Sequence, residues 1–588
     1  MFDIAQLAKG ARVRIDRSRD SGLTECAKAI LADRYLLPGE SFQDVFARVA
    51  MFYADDSAHA QRLYDYISGL WFMPDEALLG SGGTDRGLPI ACFLNECADS
   101  LSGIVDLWNE NVWLASCGGG IGSYWGNLRS FGEKAGRDGK TPGIIPFIHV
   151  QDSLTLAVRQ LPSAVYLPVS HPEIEEFIDL RRFSGGNPDR KAPHLHHGIL
   201  IPDAFMREVE SGGEWALTSP KDGNALGRIS ARSLWSRILD ARIETGEPYL
   251  VYIDHVNRAI PEHHKIAGLP VKMSGSNGEI MLPTGRDHHG QERTAVCCLS
   301  SLNLDKFDEW EEHPAFIEDV LRFLDNALED FIRRAPDTLM RAKYAAMRER
   351  SVGLGAMGFH SFLQGRRVPA ESVTAKVWNK RIFGHIRRHA DAASVKLAEE
   401  RGACPDAKEY GVMERFSNKI AIAPTGSLSL IAGGVSQGIG PDAANAFTYK
   451  TLSGSYAVRN PHLGNLLAQK CMDDEEVWLS IALHEGSVQH LGFLSRDEKD
   501  VFKTAFELDQ KWLIEHAADR AKHVCQSQSL DIFVAPDIHK RDLHRIHWMA
   551  WKRGVKSLCC CRSGEDLKIS APPGSWEEAF TDDAFKEA

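Results

Sequence analysis

The chain has 588 residues, 43% of them hydrophobic and 25% charged, which is enough apolar surface for one large domain with appendages. Lys and Arg number 68 against 80 Asp and Glu, and the formal charge of −12 argues against a nucleic-acid polymer or an anionic membrane as partner. A nucleotide remains compatible, because main-chain N–H groups and helix N-termini can hold its phosphates. No apolar run is long enough for a membrane span, no basic-then-apolar leader opens the chain, and twelve cysteines are too sparse for a secreted disulfide scaffold, so a reducing cytoplasmic setting is expected.

Residues 1–75 read as helical, with Phe42, Val45, Phe46, Val49 and Phe52 at helical spacing after the start signal Pro38-Gly39-Glu40-Ser41. From Phe72 to about Phe533 short β-rich runs alternate with helical stretches. Gly198–Pro202 and Tyr249–Asp254 look like buried strands, and helices are clearest at 314–349, 374–401 and 496–521. Interleaved strands and helices imply an α/β fold with a largely parallel sheet. There is no internal repeat, and residues 564–588 read as a flexible acidic tail.

Several stretches carry more than periodicity. They are Gly82-Gly83-Thr84-Asp85-Arg86-Gly87-Leu88-Pro89-Ile90-Ala91-Cys92-Phe93-Leu94-Asn95, then Ser116–Gly122 followed by Tyr124–Arg129, the run from Thr294 to Trp310, Ala423–Ile431, and Trp551–Ser563. Together they resemble the large (alpha) subunit of ribonucleotide reductase over most of residues 30–563. The resemblance implies a ten-stranded α/β barrel over 76–563, with a finger loop at about 272–297 threaded into its centre. Sequence pattern alone would not distinguish this from an eight-stranded barrel. Only about thirty residues precede the matching Arg34-Tyr35-Leu36 segment, so the family's regulatory ATP cone is expected to be absent.

The resemblance also assigns roles. Cys92 and Cys297 match the two barrel cysteines that supply electrons and end as a disulfide, a chemistry that needs neighbouring thiols of which one can ionise; two unrelated buried thiols are the alternative. Ala91 and the glycines Gly118, Gly119 and Gly120 match the substrate-side run, where main chain must approach a ligand closely. Pro424, Thr425, Ser427, Leu428 and Ser429 match the loop that receives the substrate phosphates at a helix start, although the same residues would also make a plain N-cap. Asp152 and Ser153 open the region that in the family binds an effector nucleotide and helps form a homodimer. His194, His196 and His197 suggest a metal, but no cysteine or carboxylate stands at zinc spacing, so hydrogen bonding is expected and no metal site is assigned.

The departures from the family fall on functional positions. Where the finger signature runs Ser-Asn-Leu-Cys-x-Glu-Ile, this chain has Ser274-Gly275-Ser276-Asn277-Gly278-Glu279-Ile280. Glu279 is kept, Asn277 stands at the place of the radical-carrying cysteine, and no cysteine lies between Cys117 and Cys297, so a fingertip without sulfur is expected. The effector-to-substrate loop is replaced by the shortened run Arg159–Leu167, the Ile-Glu-Pro carboxylate by Ile439-Gly440-Pro441, and the tyrosine pair of the terminal strand by Cys559 and Cys560. The mobile cysteine pair that re-reduces the barrel disulfide is not found after Arg562.

The expected function is therefore binding of a nucleotide-like ligand in the barrel, with ribose 2′-reduction lost or replaced by altered chemistry at Glu279, Asn277, Cys92 and Cys297. One alternative is a non-catalytic nucleotide-binding or regulatory protein. The other is an active ribonucleoside-diphosphate reductase using an unexpected cysteine, with Cys297 or Cys298 nearest by sequence. No cofactor is expected in the chain beyond a nucleoside di- or triphosphate with Mg, and the radical source and any small radical-generating subunit are left open.

Overall fold

The computed structural model describes residues 11–135, 139–158, 162–182, 187–564 and 580. The first ten residues of the N-terminal region, residues 159–161 of the shortened loop and nearly all of the tail expected at 564–588 lie outside the described residues. Among the described residues no helix is long and apolar enough to cross a membrane. The strands used below are β1 (Phe72–Pro74), β2 (Cys92–Glu96), β3 (Gly120–Tyr124), β4 (Ser163–Pro168), β5 (His196–Ile201), β6 (Tyr249–Tyr252), β7 (Ala295–Asn303), β8 (Val352–Met357) and β9 (Ser557–Leu558). The α/β class read from the sequence is the class observed, with half-barrel sheet and a helical N-terminal region.

The chain divides into two compact units, one of Met1–Ile90, Cys298–Arg334 and Glu349–Val524, the other of Ala91–Cys297, Ala335–Arg348 and Cys525–Ala588. Near its start the first unit carries the α-helices Glu25–Arg34, Phe42–Phe52 and Ser57–Ser68. The Ser41 start signal works as expected, since the Asp44 carboxylate accepts the Ser41 N–H at 2.8 Å and ties down the first turn. The sheet of this unit pairs β1 antiparallel with the end of β7, pairs β8 parallel with β7 from Cys298↔Val352 to Asn303↔Met357, and adds a parallel bridge from Leu354 to Ile420.

Two long helices read from the sequence are each broken in two. The stretch 314–349 forms Phe316–Arg334 and Met340–Glu349, because Pro336 cannot continue the first helix. The stretch 496–521 forms Arg496–Val501 and Gln510–Ala521, where the Asp509 side chain accepts the Lys511 N–H and starts the second helix afresh. The helix expected at 374–401 is continuous over Val373–Arg401.

In the second unit β2, β3, β4, β5 and β6 run parallel in that order, with β7 antiparallel beside β2 and β9 antiparallel beside β6. β4, β6 and the Gly198–Ile201 part of β5 are nearly continuous apolar runs, as expected of a sheet covered on both faces; all four residues of β6 and five of six in β4 and β5 are buried. Ser163–Leu167, the second half of the shortened loop, is already strand β4.

The first unit holds a buried carboxylate matched by several cations. In the first unit Asp325 is 1% exposed, and its carboxylate meets Arg350 at 2.8 Å, Arg415 at 3.0 Å and Arg401 at 2.7 Å. Burial alone would raise its pKa, but the three guanidinium groups outweigh that and hold it well below the usual carboxylate range. Such a group stabilises the fold above its unfolded pKa of about 3.9 and loses that contribution as the pH falls towards the folded value. Asp325→Asn strands three guanidinium groups and should cost roughly 3–5 kcal/mol, read as a lower urea midpoint at pH 7, with the gap to wild type narrowing below about pH 4. An unchanged midpoint at pH 7 would show that the cluster does not hold this unit together.

Candidate active site

The finger of the second unit is a loop buried in protein, so its main-chain polar groups must find partners without water. Its tip is closed by Gly275 N–H donating to Ile280 O at 3.0 Å. Around that turn, donors converge on successive carbonyls. Tyr166, from β4, donates its hydroxyl to Gly275 O at 2.6 Å, the Cys559 thiol donates to Asn277 O at 2.8 Å, and Ser557, in β9, donates to Gly278 O at 2.9 Å. The Ser527 N–H meets Glu279 O at 2.9 Å, and the Met281 N–H donates to Gln526 Oε1 at 3.1 Å.

Glycines make the space. A Cβ on Gly122 would lie 2.2 Å from Ser274 O, and one on Gly120 2.9 Å from Ser276 Oγ, so the glycine-rich run of β3 lets the finger pack against it. Gly278 has φ +82°, and a Cβ there would lie 2.4 Å from Cys559 Sγ. The sulfur can sit against the fingertip only because residue 278 has no side chain.

Asn277 stands at the fingertip, and the fingertip residues carry no sulfur, as read from the sequence. The finger contributes no cysteine of its own, yet a sulfur touches its tip, carried by the segment after β9. Neither cysteine nearest by sequence supplies it: Cys297 is committed to β7, and Cys298 points to the opposite face of that strand. Burial pushes the Cys559 thiol pKa well above the usual range, so it stays protonated at neutral pH. Burial, with Asp531 second, pushes Cys560 up to about 12. Cys560 Sγ stands 4.0 Å from the Tyr249 hydroxyl, and the Tyr249 ring stacks on His196 at 5.6 Å.

Cys92 and Cys297 are direct partners across the antiparallel β2–β7 pair. Opposed residues in such a pair have Cα atoms about 4.5–5.5 Å apart, inside the window of about 4.4–6.8 Å that a disulfide needs. Gln526 Nε2 donates to Cys297 Sγ at 3.6 Å, so one side chain reaches both this pair and the finger.

The other expected site residues are placed as follows. Ala91 precedes β2, and its carbonyl accepts the Gly120 N–H at 2.7 Å. Gly118 has φ +93° and open space where a Cβ would stand, while Gly119 abuts Phe93. Glu279 is 1% exposed at the fingertip. One oxygen of Asp152 already accepts the main-chain N–H groups of His194 and Leu195, each at 2.8 Å, and Ser153 donates to His149 O at 3.3 Å. His196 and His197 both bond Glu247, the latter at 3.1 Å, which is the hydrogen-bonding role expected for them. Pro424, Thr425, Ser427, Leu428 and Ser429 belong to the first unit. There Thr425 Oγ1 accepts the Gly438 N–H at 2.8 Å, a short helix spans Gly426–Ile431, and Ser427 bonds Glu76 and Arg34.

The description "Ribonucleotide reductase, barrel domain" matches residues 90–409 and 405–561, and "Ribonucleotide reductase, all-alpha domain" matches residues 21–87. The chain belongs to the ribonucleotide reductase large-subunit family. It is 38% identical to the ribonucleoside-diphosphate reductase large subunit of Invertebrate iridescent virus 3, over 95% of this chain and 96% of that one. It is 27% identical to the protein of the same name from Invertebrate iridescent virus 6, over 93% of each. The solved class Id ribonucleotide reductase alpha subunit of Actinobacillus ureae superposes with a TM-score of 0.82 at 32% identity, covering 94% of this chain and 98% of that one.

Sequence reasoning noticed Cys559 and Cys560 as replaced tyrosines but did not place them, and it missed Tyr166, Ser557 and Gln526 as the finger's anchors. The one local signal was the glycine after Asn277. In this family member Gly278→Ala should displace the Cys559 sulfur. The left-handed backbone costs about 1–2 kcal/mol for an L side chain and the crowding about 1–3 kcal/mol more, giving a lower melting temperature and faster alkylation of Cys559 in the native protein. Wild-type melting and labelling would show that the sulfur does not occupy that space.

Proposed function

We propose that the chain is the large subunit of a ribonucleoside-diphosphate reductase, replacing the 2′-hydroxyl of a ribonucleotide by hydrogen. The observation that carries this reading is the Cys92–Cys297 pair in direct cross-strand register. Two thiols give up two electrons and two hydrogens, the hydroxyl leaves as water, a hydrogen takes its place on carbon, and the sulfurs join as a disulfide. A barrel that only bound a nucleotide would have no use for such a pair. The name of the viral relative that aligns along nearly its whole length supports the same reading, and supports it better than loss of the reaction.

In this proposal Glu279, buried at the fingertip, takes and returns the proton of a sugar hydroxyl. In the second unit Ala91 and Gly118–Gly120 are assigned to close approach of a sugar. In the first unit, taken by itself, Pro424, Thr425, Ser427, Leu428 and Ser429 are assigned to phosphate binding, with Mg²⁺ accompanying the phosphate. Asp152 and Ser153 belong to the effector and homodimer region, and the oxidising equivalent comes from a small radical-generating subunit. The thiol chemistry requires a reducing compartment such as the cytoplasm.

The fully reduced chain has twelve thiols to titrate. A single turnover of ribonucleoside diphosphate without external reductant should lower that count by two in the wild type. Cys92→Ser should bind the nucleotide as before, lose at least about 1,000-fold in deoxynucleotide formation, and show no thiol loss, since the reaction then lacks its electron source. Turnover by Cys92→Ser at a wild-type rate would overturn this reading.

A further inference from the structure

Reduction of a ribose in this family begins with a thiyl that lifts the 3′ hydrogen, and the asparagine at the usual position has no bond weak enough to serve. Resting on the reductase reading, we propose that Cys559 is the hydrogen-abstracting thiol of this enzyme, reaching the fingertip from the terminal segment instead of from the finger.

Four observations converge on that sulfur. It lies 2.8 Å from the carbonyl of Asn277, the residue standing where the radical-carrying cysteine is expected. It fills the space that a Cβ on Gly278 would occupy, so the departure at 277 and the glycine beside it accommodate one and the same atom. It is buried at 3% exposure, which shields a radical from solvent and oxygen. Its burial also keeps it a thiol, and a thiyl is made by removing hydrogen from S–H. Cys297 is already engaged as a partner of Cys92 and cannot be both reductant and abstractor in one turnover.

The steps balance. A one-electron oxidant, by class a metal-centred oxidant in a separate subunit, takes one electron and one proton from the Cys559 S–H and leaves the thiyl. Cys560 and Tyr249, 4.0 Å apart at sulfur and phenol oxygen, are oxidisable groups next to it through which that electron and proton can pass in turn. The Cys559 thiyl then breaks the ribose C3′–H bond and re-forms S–H. After the 2′-hydroxyl has left as water and the Cys92–Cys297 disulfide has formed, the same hydrogen returns to C3′ and the thiyl is restored.

Serine separates a chemical role from a structural one. Cys559→Ser is close in size and still donates to the Asn277 carbonyl, but an O–H bond is too strong to yield the radical. The assay uses the holoenzyme, this chain with a small radical-generating subunit, with dithiothreitol as reductant and ADP, CDP, GDP and UDP as substrates. Cys559→Ser should lose at least about 1,000-fold in deoxynucleotide formation, while nucleotide affinity stays within about twofold and melting is unchanged; the exposed Cys471→Ser should match wild type. A wild type that turns over alongside a Cys559→Ser variant keeping more than a tenth of the rate would overturn the assignment of Cys559 alone. A wild-type holoenzyme that forms no deoxynucleotide would overturn the reductase reading, and the role of Cys559 with it.

Discussion

A loop buried in protein must have its carbonyls met by donors, and that requirement organises the finger of the second unit. Among the described residues the fingertip from Gly275 to Ile280 has no sheet neighbour to pair with. Its main chain is satisfied by a phenol from β4, a hydroxyl and a thiol from the end of the chain, and a main-chain N–H from residue 527. Leaving a buried carbonyl unmet costs about 1–3 kcal/mol, so losing several of these donors together would release the finger. Strand β9 thus bonds to the finger through Ser557 as well as pairing over two residues with β6.

The same constraint links substitutions that look independent in the sequence. An asparagine at 277, a glycine at 278 and a cysteine at 559 read separately as one loss, one neutral position and one odd replacement. In space they are a carbonyl, a gap and the sulfur that fills it, bonded to each other across 282 positions of chain. In the proposed reading the working thiol sits on the segment after β9 instead of on the finger, and its sulfur still touches the fingertip. Cys560, with its sulfur 4.0 Å from the Tyr249 hydroxyl, places a second thiol next in sequence to Cys559.

Much of the fold was legible because it depends on local pattern. Two of the parallel strands, β5 and β6, announced themselves as short apolar runs, and the Ser41 start signal and the helix 373–401 were read within a residue or so. The broken helices were not, although Pro336 was in plain view, because apolar periodicity continues across the break. The Cys92–Cys297 pair was legible through the motifs on either side of each cysteine, but its register is a property of strand pairing. The sulfur against the fingertip was illegible: nothing near residue 277 points to residue 559, and counting cysteines along the finger does not reach it. The glycines of β3 show the same limit, since their type was read as room for a ligand while Gly120 and Gly122 make room for the finger.

The most direct measurement is an experimental map of the chain with a ribonucleoside diphosphate bound, in which the position of the Cys559 sulfur against the sugar can be read. Hydrogen abstraction needs the reacting atoms at about 3–3.5 Å, so Cys559 Sγ is predicted to lie at roughly that distance from C3′ on the face of the ribose bearing the 3′ hydrogen. A sulfur turned away from the sugar, with another cysteine in its place or none, would contradict the proposal that the radical site lies on the segment after β9.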